Sequence, residues 1–303
     1  MTMSDNKIFS GLEHVGFKDS DLKDLSLYEK EKKAIEDAKK TSPSSLLYEK
    51  TIVCPVCETT FKQLALKSNS YRMISKDSDF FIRYAIINPY FYDVYVCEHC
   101  GYSALKVDFN KISEKQKELV ISNISTKFKS RTYPKEYNLS IAIERYKLAL
   151  LNATYINSKS STKAMICLKI AWMYRLSEDN NSAELEKSFL KSSLEGFNVA
   201  LEKESMPVYK MNTFLLMYLI GELNRRLENY DTALSWFSRV ITTPGVSTNL
   251  KELTRTQRDL IKETLEKQNA AKEESTEIST DDIDSNEDST KSNKGFFSKL
   301  FGE

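Results

Sequence analysis

The sequence predicts a mainly α-helical protein with one small β-rich, metal-binding module ahead of its helices and a disordered acidic tail behind them. Three observations carry that prediction. Four cysteines stand in two C-x-x-C pairs, "CPVC" at 54–57 and "CEHC" at 97–100, inside a stretch rich in β-branched and aromatic residues. From about Ser113 to Gln268 the chain has helical periodicity with few breakers. From Ala271 to Asn293 it is polar, acidic and free of aromatic residues, so it cannot bury enough apolar surface to offset the entropy of ordering.

Changes of texture set four segments. Residues 1–45 are an N-terminal extension, with a short charged helix expected at 21–40 before the breaker "TSPSS" at 41–45. Residues 46–112 form the four-cysteine module, residues 113–270 the helical region, and residues 271–303 the tail. With 41% apolar residues the chain has the composition of a globular protein, and no apolar run approaches the ~20 residues that span a bilayer. The opening "MTMSDNKIFSGLEHVGF" lacks the basic patch and apolar core of a signal peptide. A reducing cytoplasm is therefore expected, where paired cysteines serve as metal ligands or redox groups rather than structural disulfides.

In the module, Cys54, Cys57, Cys97 and Cys100 give the four-thiolate pattern of a structural zinc ribbon. Two residues between cysteines let one tight turn aim both sulfurs at one ion while backbone N–H groups donate to them. Gly101 suits the positive φ needed after the second pair. Glu58 follows the first pair instead, which predicts a less regular turn. Four thiolates fill a tetrahedral shell and leave no place for a catalytic water. The spacing alone leaves zinc and iron open, a dithiol redox centre is the alternative, and His99 is the spare ligand. The long insert between the pairs must fold back on itself, with a strand at "DVYVC" (93–97). Within it, Arg72, Asp77 and Asp79 read as a surface turn or as an acid–base or ligand-binding cluster. "NPYFYDVY" (88–95) reads as an aromatic strand covering the metal turns. Cys167, between Ile166 and Leu168, is expected to be a buried small hydrophobe.

These pieces together resemble a known bacterial family. The runs Asp77-x-Asp79-Phe80, Asn88-Pro89-x-x-Tyr92 and Val96-Cys97-x-x-Cys100-Gly101-Tyr102, with Cys54-Pro55-x-Cys57 upstream and "AWMYR" at 171–175, are similar to domain of unknown function 2225 over roughly residues 48–245. The resemblance implies a cytoplasmic protein with an N-terminal metal-binding module and a helical-repeat region, and it carries no activity. The metal role falls on the four cysteines that match the motif.

The helical region repeats a packing signature of small residue, aromatic and small or apolar residue. It occurs at Ala142/Tyr146/Ala149, Ser193/Phe197/Ala200 and Ala233/Phe237/Val240. A second signature occurs at Ile170/Ala171/Tyr174 and Ile220/Gly221/Asn224. Small residues admit a neighbouring helix and the aromatic fills the space beside it, as in tetratricopeptide repeats. Three divergent helix pairs follow, bounded at Pro134, Pro207 and Pro244, with a polar capping helix at 247–268. Such arrays bind peptides on a concave face, which points to Lys169, Arg175, Asn224 and Arg225 as contacts for an acidic or carboxylate ligand.

Phosphate-binding glycine loops and the common hydrolase motifs are absent from the sequence, which has two histidines, neither placed as a general base. Between Cys54 and Val107 the charges nearly cancel, which argues against the alternative of a nucleic-acid-binding zinc-ribbon regulator. The sequence therefore predicts a non-enzymatic zinc-binding scaffold or adaptor for protein or peptide partners. Its last residues, "KGFFSKLFGE", place Phe296, Phe297, Leu300 and Phe301 on one helical stripe, expected to dock on a partner rather than on a membrane.

Overall fold

The computed structural model describes residues 42–67 and 71–284, with side chains to residue 270. The helix expected at 21–40 and the apolar motif Phe296, Phe297, Leu300 and Phe301 lie outside the described residues. Three two-stranded antiparallel sheets come first. They are β1 (Leu47–Val53) with β2 (Thr60–Leu66), β3 (Met73–Lys76) with β4 (Ile82–Tyr84), and β5 (Val94–Val96) with β6 (Ser103–Leu105). Seven helices follow: α1 (Glu114–Val120), α2 (Leu139–Tyr155), α3 (Ser160–Arg175), α4 (Ser182–Lys203), α5 (Thr213–Arg226), α6 (Tyr230–Thr242) and α7 (Thr248–Asp284). Helix α7 continues well past the expected capping segment at 247–268. No helix among the described residues is long and apolar enough to cross a membrane.

Local chemistry sets these boundaries. Asn138 and Asn212 cap α2 and α5 by accepting from the N–H groups of Ile141 and Leu215, both at 2.9 Å. Ser113 and Gln116 form a capping box on α1. Pro134, Pro207 and Pro244 all fall between helices, where a missing N–H costs nothing. Every residue of the two packing signatures is buried. Gly221 shows why one of them is small, since a Cβ there would lie 2.7 Å from the ring of Phe237.

The chain divides into two compact units, and the division falls after Val208. The first unit holds all three sheets together with α1 to α4. Helix α2 packs on β5 and β6, and α3 packs on α2 and α4. The physical reason is that the cysteine module does not close its own core. Its apolar cluster of Ile52, Tyr95, Tyr102 and Phe109 is completed by Val120, Ile124 and Ile156 from the helical region. In the second unit α5, α6 and α7 pack together.

Candidate metal centre

Each C-x-x-C pair sits at one end of a hairpin, and the two turns are built alike. The Glu58 N–H donates to the Cys54 carbonyl and the Gly101 N–H to the Cys97 carbonyl, both at 2.9 Å. The Cys54 N–H reaches the Thr59 carbonyl at 3.0 Å, and the Cys97 N–H reaches the Tyr102 carbonyl at 2.9 Å. Backbone N–H groups of Val56 and Cys57 point at the Cys54 sulfur, and those of His99 and Cys100 at the Cys97 sulfur. Glu58 adopts φ 58° and Gly101 φ 76°. The first turn is therefore as regular as the second, contrary to expectation, because Glu58 accepts the left-handed conformation that its position demands.

The turns face each other. All four sulfurs lie within 4.8 Å of one another, with Cys54–Cys100 and Cys57–Cys97 each at 3.6 Å. A tetrahedral shell with metal–sulfur bonds of about 2.3 Å has sulfur–sulfur edges of about 3.8 Å, so the arrangement fits one ion. All four cysteines are free thiols. Cys54, Cys97 and Cys100 are buried, and only Cys57 is partly open. His99 is exposed and outside the cluster, so it is not the spare ligand that the sequence offered.

Crowding splits the acidities of Cys54, Cys97 and Cys100. Cys97 is held far below the ordinary thiol value by hydrogen bonds from Cys100 and Cys54. Cys100 is pushed well up by its hydrogen bonds with Cys54 and Cys97 and by burial. For Cys54 the bond with Cys100 pulls downward, but the bond with Cys97 and burial win, and the thiol is pushed up to about 12. A cation is what allows all four to ionise together.

Residues from the helical region hold the second turn. Ser125 Oγ donates to the Cys100 carbonyl at 2.9 Å, and Asn152 Nδ2 donates to the Gly101 carbonyl at 3.1 Å. Phe128 covers Gly101 so closely that a Cβ there would lie 2.5 Å from its Cγ.

Between the turns, two buried polar side chains do the joining. Gln63 on β2 donates to the Val96 carbonyl at 3.1 Å, next to Cys97, and accepts from Arg145 Nη2 on α2 at 2.5 Å. Arg145 also donates to the Val94 carbonyl at 2.6 Å. Sequence reasoning missed this pair, although the signal was there. Arg145 and Asn152 lie on the stripe of Ala142, Tyr146 and Ala149, and Gln63 shares the alternating row of Phe61 and Ala65.

The acidic cluster is structural rather than a surface turn. Asp79 is fully buried and receives Arg175 Nη2 at 2.7 Å and Trp172 Nε1 at 3.0 Å. Asp77 takes Arg175 Nη1 and Arg83 Nη2, both at 3.0 Å, and Glu186 takes Arg175 Nε at 2.7 Å. Arg72 stays exposed. The segment Pro89–Tyr92 is a 3-10 turn, not a strand, because the Asn88 side chain caps it at the Tyr90 N–H. Tyr90 packs on Phe81 and Trp172 instead of on the metal turns. The two acidic residues, Tyr90 and the "AWMYR" pair Trp172 and Arg175 thus converge on one cluster.

The four residues expected to meet a ligand are engaged within the chain. Lys169 pairs with Asp93, and Arg175 with the acids just described. Asn224 is buried and donates to the Ile220 carbonyl at 2.8 Å, while Arg225 is held by Glu222 at 2.8 Å. Cys167 is buried as expected, and burial pushes its thiol up to about 11.

Fold and site together define a mainly helical protein with a four-cysteine centre able to hold a metal ion. The chain belongs to the family described as uncharacterized protein conserved in bacteria (DUF2225), whose model matches residues 47–261. A protein from Borreliella burgdorferi, described as an uncharacterized protein, is 23% identical over 175 residues. That match covers 50% of this chain and 63% of the relative, somewhat under two thirds of its length. No solved structure matches the chain.

Proposed function

We propose that the chain is a non-enzymatic, cytoplasmic scaffold or adaptor whose four cysteines hold one structural zinc ion and whose helices and terminal motif present surfaces to protein partners. The observation that carries this reading is the closed set of four thiols, largely buried and within 4.8 Å of one another. Such a shell has no open position for water or substrate, so its metal contributes folding energy rather than chemistry. Spent internal charges on α3 and α5 direct partner binding toward apolar surface. Strand β3 leaves Met73 58% and Ile74 67% exposed, side chains of a kind that protein partners cover. The helices stack through small and aromatic residues in a tetratricopeptide-like manner, an architecture suited to holding a partner segment.

Metal analysis of purified protein tests the first half, with one zinc per chain expected. Protein carrying no thiolate-bound metal would overturn it. Affinity purification from the native host at low salt tests the second half, comparing full-length protein, residues 1–272 and Ile74→Lys. A partner lost from either altered form supports the adaptor reading, and identical partner sets for all three overturn it.

A further inference from the structure

Arg145 is 1% exposed, yet none of the described residues offers it a carboxylate within 4 Å. Its guanidinium lies 4.7 Å from the ring centre of Tyr133 and 4.5 Å from that of Tyr137. Nη2 serves Gln63 and the Val94 carbonyl, while Nε and Nη1 have no hydrogen-bond partner among the described residues. Burial lowers its pKa from the usual arginine value, but a guanidinium stays charged in a protein. The nearby acids, Glu98 and Glu144, act on it only without direct contact. Glu144 is engaged by Arg131 and by the hydroxyl of Tyr133, and Glu98 is partly exposed in the second turn. A buried charge without a direct counter-ion is costly, so its retention needs a reason.

The metal centre supplies one. A divalent ion with four thiolates carries a net charge of about −2, and in a low-dielectric interior that charge is felt beyond direct contact. The same arginine is tied to both cysteine hairpins. These share no backbone ladder, and Gln63 and Arg145 join β2 to the strand that leads into Cys97.

We propose that Arg145 is a positioning residue of the metal centre: through Gln63 and Val94 it holds the two cysteine turns at ligand distance, and its charge offsets that of the metal–tetrathiolate group. This rests on the metal reading above and deepens it. Arg145 touches no ligand, so its effect on affinity is measured apart from its effect on fold stability.

The test is competition for zinc against a chromophoric chelator, with stability of metal-free and zinc-loaded protein measured in parallel. Arg145→Met is expected to bind zinc about 10–100-fold more weakly, the range for loss of an outer partner of a metal site, and Arg145→Lys to recover part of that loss. Gln63→Met, which cuts the tether but keeps the charge, is expected to lose about tenfold. Affinity within threefold of wild type in Arg145→Met, with both forms destabilised equally, would show a purely structural arginine and overturn the proposal. If Arg145→Met does not fold, unchanged affinity in Gln63→Met overturns it instead. Wild-type protein that binds no zinc defeats the metal reading itself, a different result from wild type that binds while the variants bind equally well.

Discussion

Glu58 and Gly101 occupy the same place in the two cysteine turns, each donating its N–H to the carbonyl of the first cysteine of its pair at 2.9 Å. Both are left-handed, at φ 58° and 76°. Only one of them is a glycine, and that difference gives opposite consequences for substitution.

A left-handed non-glycine residue costs roughly 1–2 kcal/mol, partly returned by the greater unfolded-state freedom of glycine. Glu58→Gly should therefore stabilise the metal-free protein by about 0.5–1 kcal/mol in denaturant titration. Gly101→Ala should do the reverse, by about 2 kcal/mol or more, since its Cβ would also meet the ring of Phe128. Equal stability for the two variants would refute the matched-turn account.

Metal binding should be steeply pH-dependent. With Cys54 at about 12 and Cys100 also raised, both keep their protons at neutral pH until a cation displaces them. Affinity should rise with pH and fall on acidification, and loading should release about two or more protons per ion in weakly buffered solution with an indicator dye. Loading without acidification would contradict the protonation pattern.

Asp77 predicts an acid limb. Burial alone would raise its carboxyl, but the hydrogen bonds and charges of Arg83 and Arg175 outweigh burial and hold it low. A depressed carboxyl stabilises the fold above its unfolded value, near pH 4, and that contribution is lost as pH falls through the lower folded value. Asp77→Asn should flatten stability against pH below about 4. Arg175→Met should cost about 3–5 kcal/mol, because it removes the guanidinium that pairs with the fully buried Asp79. Unchanged urea midpoints in both variants would remove the cluster from the stability account.

Residues 130–270 should not fold cooperatively alone. Arg145, Asn152, Lys169 and Arg175 all spend their polar groups on the sheet module. Circular dichroism of that fragment should show partial helix and a broad melt, while residues 42–208 should melt in one step. A sharp melt for 130–270 would show that the helices fold without the sheet module.

Gly221→Leu should destabilise the second unit by about 1–3 kcal/mol, because a Cβ at this site already lies 2.7 Å from Phe237 and 3.1 Å from Trp236. Gly245→Ala makes the control for backbone strain, since φ there is 82° and no atom lies within 4 Å of a Cβ. Comparable losses at both positions would mean that packing is not the cause at Gly221.

The sequence by itself determined the helical region and the two cysteine turns. Cysteine spacing is a local property, and two residues between thiols dictate the turn whether Glu58 or Gly101 follows. Helical periodicity is local too, so the buried rows of Ala142, Tyr146 and Ala149 and of Ala233, Phe237 and Val240 could be read directly. Only the tertiary structure decided which charges would be spent inside. Asp79 and Arg175 lie far apart in the chain, and so do Gln63 and Arg145, and no local pattern pairs them. Whether such a residue faces a ligand or a buried partner depends on how helices close over a module too small to bury its own core. The apolar cluster around Cys54 and Cys97 is closed by Val120, Ile124 and Ile156 from the helical region.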